Sequence, residues 1–159
     1  MLREQTAGGV GLKLLSLLKN AKVIALDTAP FIYFIEENPT YINIVEPLFQ
    51  EISRGNLRAF TSYITLIEVL IKPLEEKNDD LIKKYSEILN DSDNLFLSDV
   101  DKAIAMEAAR LRAIHKLKIP DAIQLATGLM NGADAFITND DSFKKVGQIE
   151  VIVLNELVV

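Results

Sequence analysis

Two rhythms of apolar residues alternate along this chain. Short continuous apolar runs over 22–27, 57–61, 94–97, 133–138 and 150–154 read as strands buried on both faces. Between them, apolar residues recur every three or four positions, as on the inward face of a helix. Leu14, Leu17 and Leu18 mark a short amphipathic helix over 12–19, after a loose, Gly-containing start at 1–11. Pro30 sits near the start of a helix over 30–37, which Asn38-Pro39 stops. Ile44, Leu48 and Ile52 mark a helix over 41–54, with Gly55 after its end and Pro47 inside it, expected to kink it or delay its start.

The next helix runs over 64–71 and ends near Pro73; another spans 78–89 with Leu81, Tyr85 and Leu89 in register. Asp99 is the expected N-cap of a helix over 100–116, striped by Ile104, Ala108, Leu111 and Ile114. Pro120 opens a helix that reaches Met130, and Asn131-Gly132 closes it. Residues 139–145 form a loop or short helical turn. Helices separate nearly every pair of strands. That order predicts an α/β fold, a three-layer α/β/α sandwich around a five-stranded parallel sheet. No repeat or linker splits it, so we expect one domain over 22–159, preceded by an extension over 1–21 that carries the short helix.

Composition narrows the chemistry. The 159 residues are 49% hydrophobic and 25% charged, as in an ordinary soluble domain. The absence of cysteine excludes disulfides, thiolate metal sites and cysteine catalysis. A net charge of −6 argues against broad nucleic-acid binding unless basic groups are patched locally. No apolar run is long enough to span a membrane, and 1–21 lacks the form of a signal peptide, so a cytoplasmic location is expected.

The acidic residues carry the candidate chemistry. Asp27 ends the first strand, where open α/β sheets bind their ligands. Glu68 lies about two helical turns past the second strand, among apolar Leu66, Ile67, Val69 and Leu70. Asp121 follows Pro120 in the first turn of a helix, and Asp140 follows the fourth strand. Each has an ordinary explanation as a cap, a turn residue or a dipole partner. Together they approach one edge of the sheet. Gathered carboxylates repel one another, and hard divalent cations relieve that repulsion. With no Cys and a single His at His115, read here as structural or surface, Mg²⁺ or Mn²⁺ suits the set better than zinc.

These segments are similar to those of the PIN-domain nucleases, and especially to the single-domain VapC-like toxins. The similarity rests on Leu26-Asp27-Thr28, on the segment from Ser62 to Glu68, on Pro120-Asp121-Ala122-Ile123-Gln124-Leu125-Ala126-Thr127, and on the segment from Gly132 to Asp140 with Phe143 following. It covers the chain from about Lys22 onward. The resemblance implies strand order 3-2-1-4-5, with strands one and four adjacent. It implies a catalytic and metal-binding quartet of Asp27, Glu68, Asp121 and Asp140, lined by Thr138 and Asn139, with Asp141 a rival to Asp140. It further implies an RNA substrate, a small antitoxin partner, and room for a homodimer to which the N-terminal helix contributes. Ala29-Pro30 departs from the family, which often has Asn and an aliphatic residue there. Arg58, Lys72, Lys118 and Lys144 are candidates for backbone contacts.

Other acidic α/β proteins fit less well. A receiver-type phosphoacceptor wants paired acids after strand one and a phosphorylated Asp after strand three, where this chain has Ser98-Asp99. A phosphatase with an Asp-x-Asp nucleophile fails because Thr28-Ala29 follows Asp27. A PIN domain without turnover, serving as an RNA- or protein-binding module, is the alternative that keeps the same fold.

Overall fold

The computed structural model describes residues 9–159. Five strands, β1 (Val23–Leu26), β2 (Arg58–Ser62), β3 (Leu95–Ser98), β4 (Ala135–Thr138) and β5 (Glu150–Val153), form one sheet in the order β3-β2-β1-β4-β5. Every neighbouring pair is parallel. The chain winds outward from β1 through β2 to β3, then returns to the other side of β1 for β4. The switch point is therefore the β1–β4 pair, where Ile24, Ala25 and Leu26 face Ala135, Phe136 and Ile137.

Alternate strand residues feed two cores. Ile24, Leu26, Ala59, Leu95, Ala135 and Ile137 pack toward α1 (Gly9–Leu17), α2 (Thr28–Ile35), α3 (Ile42–Ser53), α4 (Tyr63–Glu75) and α5 (Asp79–Asp91). Ala25 and Phe136 face the other way, toward α6 (Lys102–His115) and α7 (Ile119–Met130). Both faces of the central strands are thus covered, which explains their unbroken apolar runs. Asp134 fastens the start of the β1–β4 pair: its carboxylate accepts from the backbone N–H groups of Lys22 and Val23 at 2.9 and 3.0 Å, and its own N–H donates to Val23 O at 2.7 Å. Those bonds hold its carboxyl below the usual range.

Several helix boundaries differ from the sequence expectation. Among the described residues, 9–11 of the stretch expected to be loose are already helical in α1, which buries Leu14 in the main core, with Leu18 buried just past its end and Leu17 facing solvent; residues 1–8 lie outside the described residues. Pro47 does not delay α3, which starts at Ile42. Helix α4 continues through Pro73 to Glu75, because its last turn is closed beyond the proline by Glu76 N–H to Lys72 O and Asn78 N–H to Pro73 O. Asp101, not Asp99, caps α6, accepting from Ile104 N–H at 2.8 Å. The buried stripe of that helix runs Ile104, Ala108 and Leu111; Ile114 is exposed, and the next inward position falls to His115, whose Nε2 is buried without a partner. The segment after β4 is a 3₁₀ turn over Asp141–Val146, and a second 3₁₀ turn, Leu154–Leu157, follows β5.

Helix α7 lies close to the sheet at Gly128, where an added Cβ would stand 2.7 Å from the Cβ of Ala25. Gly→Ala in an exposed helix interior stabilises by roughly 1 kcal/mol. Here Gly128→Ala is expected to reverse that sign and destabilise by about 1–3 kcal/mol through overpacking. A lowered urea midpoint at unchanged slope checks it.

Candidate active site

The acids expected to gather come from four different elements. Asp27 follows β1 and caps α2 in extended backbone. Glu68 projects from the middle of α4, Asp121 from the first turn of α7, and Asp140 caps the 3₁₀ turn after β4. The parallel sheet brings the ends of β1 and β4 together, and Asp27 N–H donates to Ile137 O at 2.9 Å across that pair.

Asp27 is the fixed member. One carboxylate oxygen accepts from Thr28 N–H at 2.9 Å and the other from the Thr138 hydroxyl at 2.7 Å. Thr138 Oγ1 in turn accepts from Asp140 N–H at 3.0 Å, and the Asp140 carboxylate accepts from Ser142 N–H at 2.9 Å. Thr138, fully buried, thus joins the two acids that flank the switch point. Burial pushes the Asp27 carboxyl above its ordinary range, against the hydrogen bonds from Thr138 and Thr28, and the negative charges of Asp121 and Asp140 push the same way. Glu68 is raised by desolvation and by Asp27 and Asp121, with Thr28 opposing. Asp121 is raised by desolvation and by Asp140, with Lys118 opposing. All four carboxylates therefore lie in one shared field.

The structure corrects some details. Glu68 does not interrupt a buried segment: Ile67 is 58% exposed and Glu68 itself is open to solvent on that side. The Asn139 side chain bonds to none of the acids, donating instead to Tyr33 OH at 2.8 Å and accepting from Asn155 N–H at 2.8 Å. Its polar atoms are committed to holding the loop, beside the stacked rings of Tyr33 and Tyr41. Arg58 starts β2, at the opposite sheet edge, with its guanidinium over Phe60 and Phe96. Lys144 pairs with Glu156, and Lys72 sits one helical turn from Glu76. Of the four basic candidates, Lys118 is the one whose charge acts on the acids.

Sequence reasoning passed over the floor beneath Glu68. Thr28, Thr61, Thr65 and Gln124 are all buried, and they bond to one another. The available signal was Gln124, a lone amide among Ala122, Ile123, Leu125 and Ala126 on a helix with a buried face.

Among the described residues, no group of three or more acidic or His side chains stands close enough to hold a metal ion as placed. The donor set nevertheless suits a hard cation: oxygen ligands only, mutually repelling, with Asp121 and Glu68 accessible. A cavity of about 430 Å³ lies elsewhere, lined by Phe34, Phe49, Ile88, Lys84 and Asp93 among others, and contains none of the four acids.

A raised carboxyl pKa lowers stability once the group ionises, so the penalty is present above the folded pKa and absent below the unfolded one. Asp121→Asn is therefore expected to stabilise the protein at neutral pH, by no more than about 0.5 kcal/mol because the group is half open to solvent and sits in the first turn of α7. The gain should disappear below the ordinary value of 3.8. Thermal melts of both proteins across that range check the sign.

The model of the PIN domain matches residues 24–149. Among solved structures, the chain is similar to VapBC2 from Rickettsia felis bound to a DNA fragment from their promoter, at TM-score 0.66 and 17% identity over 82% of this chain and 98% of that one. It is also similar to a toxin–antitoxin complex from Klebsiella pneumoniae, at TM-score 0.62 and 23% identity over 82% and 97%. A third is FitAcB from Neisseria gonorrhoeae, at TM-score 0.64 and 19% identity over 82% and 97%. No curated protein matches at a significant level. At such identities the solved structures speak to the fold alone, and with the family model matching residues 24–149 the chain belongs to the PIN-domain family.

Proposed function

We propose that this chain is a metal-dependent endoribonuclease that hydrolyses RNA phosphodiester bonds, the toxin of a toxin–antitoxin pair. The observation that carries the reading is the pair Asp27 and Asp140, joined through Thr138 where β1 and β4 end side by side, with Asp121 and Glu68 near enough for charge to pass between the acids. Asp27, Asp121 and Asp140 are metal ligands, directly or through water, and Mg²⁺ or Mn²⁺ suits their oxygens. Glu68 is a further ligand or the base that orients the attacking water. A bound cation supplies charge neutralisation at the phosphate and a more acidic water.

The protein's own contribution is placement. Thr138 and Thr28 fix the Asp27 carboxylate from two sides, so it presents a defined face to the cleft. Lys118, beside Asp121, is suited to steady a backbone phosphate. The toxin–antitoxin complexes among the structural neighbours support a small antitoxin as partner. The exposed apolar residues Tyr63, Ile67, Ile71 and Leu74 along one side of α4 support a protein-covered face, for the antitoxin or a second copy. Among the described residues no helix is long and apolar enough to cross a membrane, and cytoplasmic RNA is the substrate pool this reading requires. We take residues 22–159 as the nuclease domain and the segment before it as an extension that carries α1.

The test is cleavage of a labelled single-stranded RNA by purified protein with Mn²⁺, with Mg²⁺ and with EDTA. Cleavage should need the cation, and Asp27→Asn and Asp121→Asn should each lower the rate about 10²–10³-fold. Cleavage that survives both substitutions overturns the reading. Its absence with every cation and several RNAs favours a binding module.

A further inference from the structure

The turn that carries Asp140 is tied down by a closed circuit of four side chains from distant parts of the sequence. Asn155, in the turn after β5, donates its backbone N–H to Asn139 Oδ1 at 2.8 Å. A backbone N–H can only donate, so the Asn139 amide has one orientation. Its Nδ2 therefore donates to the Tyr33 hydroxyl oxygen at 2.8 Å. The Tyr41 hydroxyl donates to Asn155 Oδ1 at 2.9 Å. The rings of Tyr33 on α2 and Tyr41 at the start of α3 close the circuit, stacked with centroids 4.2 Å apart and planes 13° from parallel.

Asn139 and Asp140 bridge two firm anchors. Upstream is Thr138, the last residue of β4, whose Oγ1 donates to Asp27 and accepts Asp140 N–H at 3.0 Å. Downstream are Phe143 and Val146, buried on the 3₁₀ turn. Between them, the Asn139 amide is the side-chain group that ties the bridge sideways, to α2 through Tyr33 and to the C-terminal turn through Asn155. One Asp140 carboxylate oxygen accepts from Ser142 N–H at 2.9 Å, and among the described residues no hydrogen bond engages the other.

We infer that Asn139 is a positioning residue for Asp140: held at both ends of its amide, it fixes the peptide that joins the two residues, and with it the place from which the free carboxylate oxygen reaches a cation. The inference rests on the metal-site reading given above. Asn139 touches none of the acids; it acts through the chain of which it is part. The circuit also makes the turn after β5, which carries none of the four acids, a support of the site through Asn155.

The probe is Mn²⁺ alone, titrated into the full chain well below the melting temperature of each variant and followed by the electron paramagnetic resonance signal of the free ion. RNA cleavage is not needed. Asn139→Leu, close in size but without the amide, should weaken Mn²⁺ binding about tenfold. Tyr33→Phe removes one oxygen, keeps the ring and leaves the bond from Asn155, and should weaken it about threefold. Adding Tyr33→Phe to Asn139→Leu should lose nothing more, because the bond between them is already gone. Tyr41→Phe leaves both bonds of Asn139 in place and should stay within about twofold of the unaltered protein. A merely structural role would lower melting temperatures and leave Mn²⁺ affinity where it was. Should Asn139→Leu fail to fold, Tyr33→Phe decides alone. Unchanged affinity in either folded variant, losses that add in the double variant, or a loss in Tyr41→Phe as large as in Asn139→Leu would overturn the inference, while loss of binding in Asp27→Asn keeps the metal site in place. If the unaltered protein binds no Mn²⁺, or Asp27→Asn binds it equally well, the metal-site reading falls, and the inference with it.

Discussion

Parallel pairing of β1 with β4 is the constraint on which the rest of this molecule depends. It sets Ile24 against Ala135 and Leu26 against Ile137, and it delivers the residue after each strand to the same edge. The two strands are clasped at both ends. Asp134 holds the beginning, through two backbone N–H groups, and Thr138 holds the finish, through the carboxylate of Asp27. A slip of one residue would turn Ala25 and Phe136 into the wrong core and separate Thr138 from Asp27. Asp27 and Asp140 are thus placed by the sheet register, while Glu68 and Asp121 are brought in by α4 and α7.

What the register assembles is electrostatically unfavourable on its own. Asp27 is desolvated and sits near Asp121 and Asp140, and Glu68 feels two of its neighbours. Opposing this are hydrogen bonds to Asp27 from groups whose own positions are fixed: Thr28 N–H at a helix start and the Thr138 hydroxyl at a strand end. Site and core are therefore not separate parts of this protein. Beside the acids, the mutually bonded side chains of Thr28, Thr65 and Gln124 fill the space between α2, α4 and α7, and the apolar packing around them keeps water from competing for their bonds.

Much of this was legible in the sequence because it follows from period and order. Five apolar runs separated by helical patterns yield five parallel strands, and the motifs around Asp27, Glu68, Asp121 and Asp140 locate the sheet edge. Boundaries were less legible where a tertiary contact decides them. Pro73 does not end α4, since a closed last turn carries the helix past it. The Asp101 cap is identified by the buried Ile104 three residues on, whereas Val100 beside Asp99 is exposed and gives no such anchor. Arg58 read as a cleft cation because charge alone does not say which end of a strand it occupies. Gln124 and Thr65 went unweighed because a polar residue in an apolar helix acquires meaning only from partners 59 positions away.

The long-range clasp between Asp27 and Thr138, 111 residues apart, has a consequence for the time at which this protein becomes what it is. During synthesis the first three strands and most of the helices emerge before β4 exists. An incomplete chain can build one half of the sheet and display Asp27 and Glu68, but it lacks the strand that carries Thr138 and Asp140. Domains fold as units, and contacts of such separation form late. The acidic edge is therefore incomplete until β4 and the turn after it have been made, whatever the earlier strands and helices have already built.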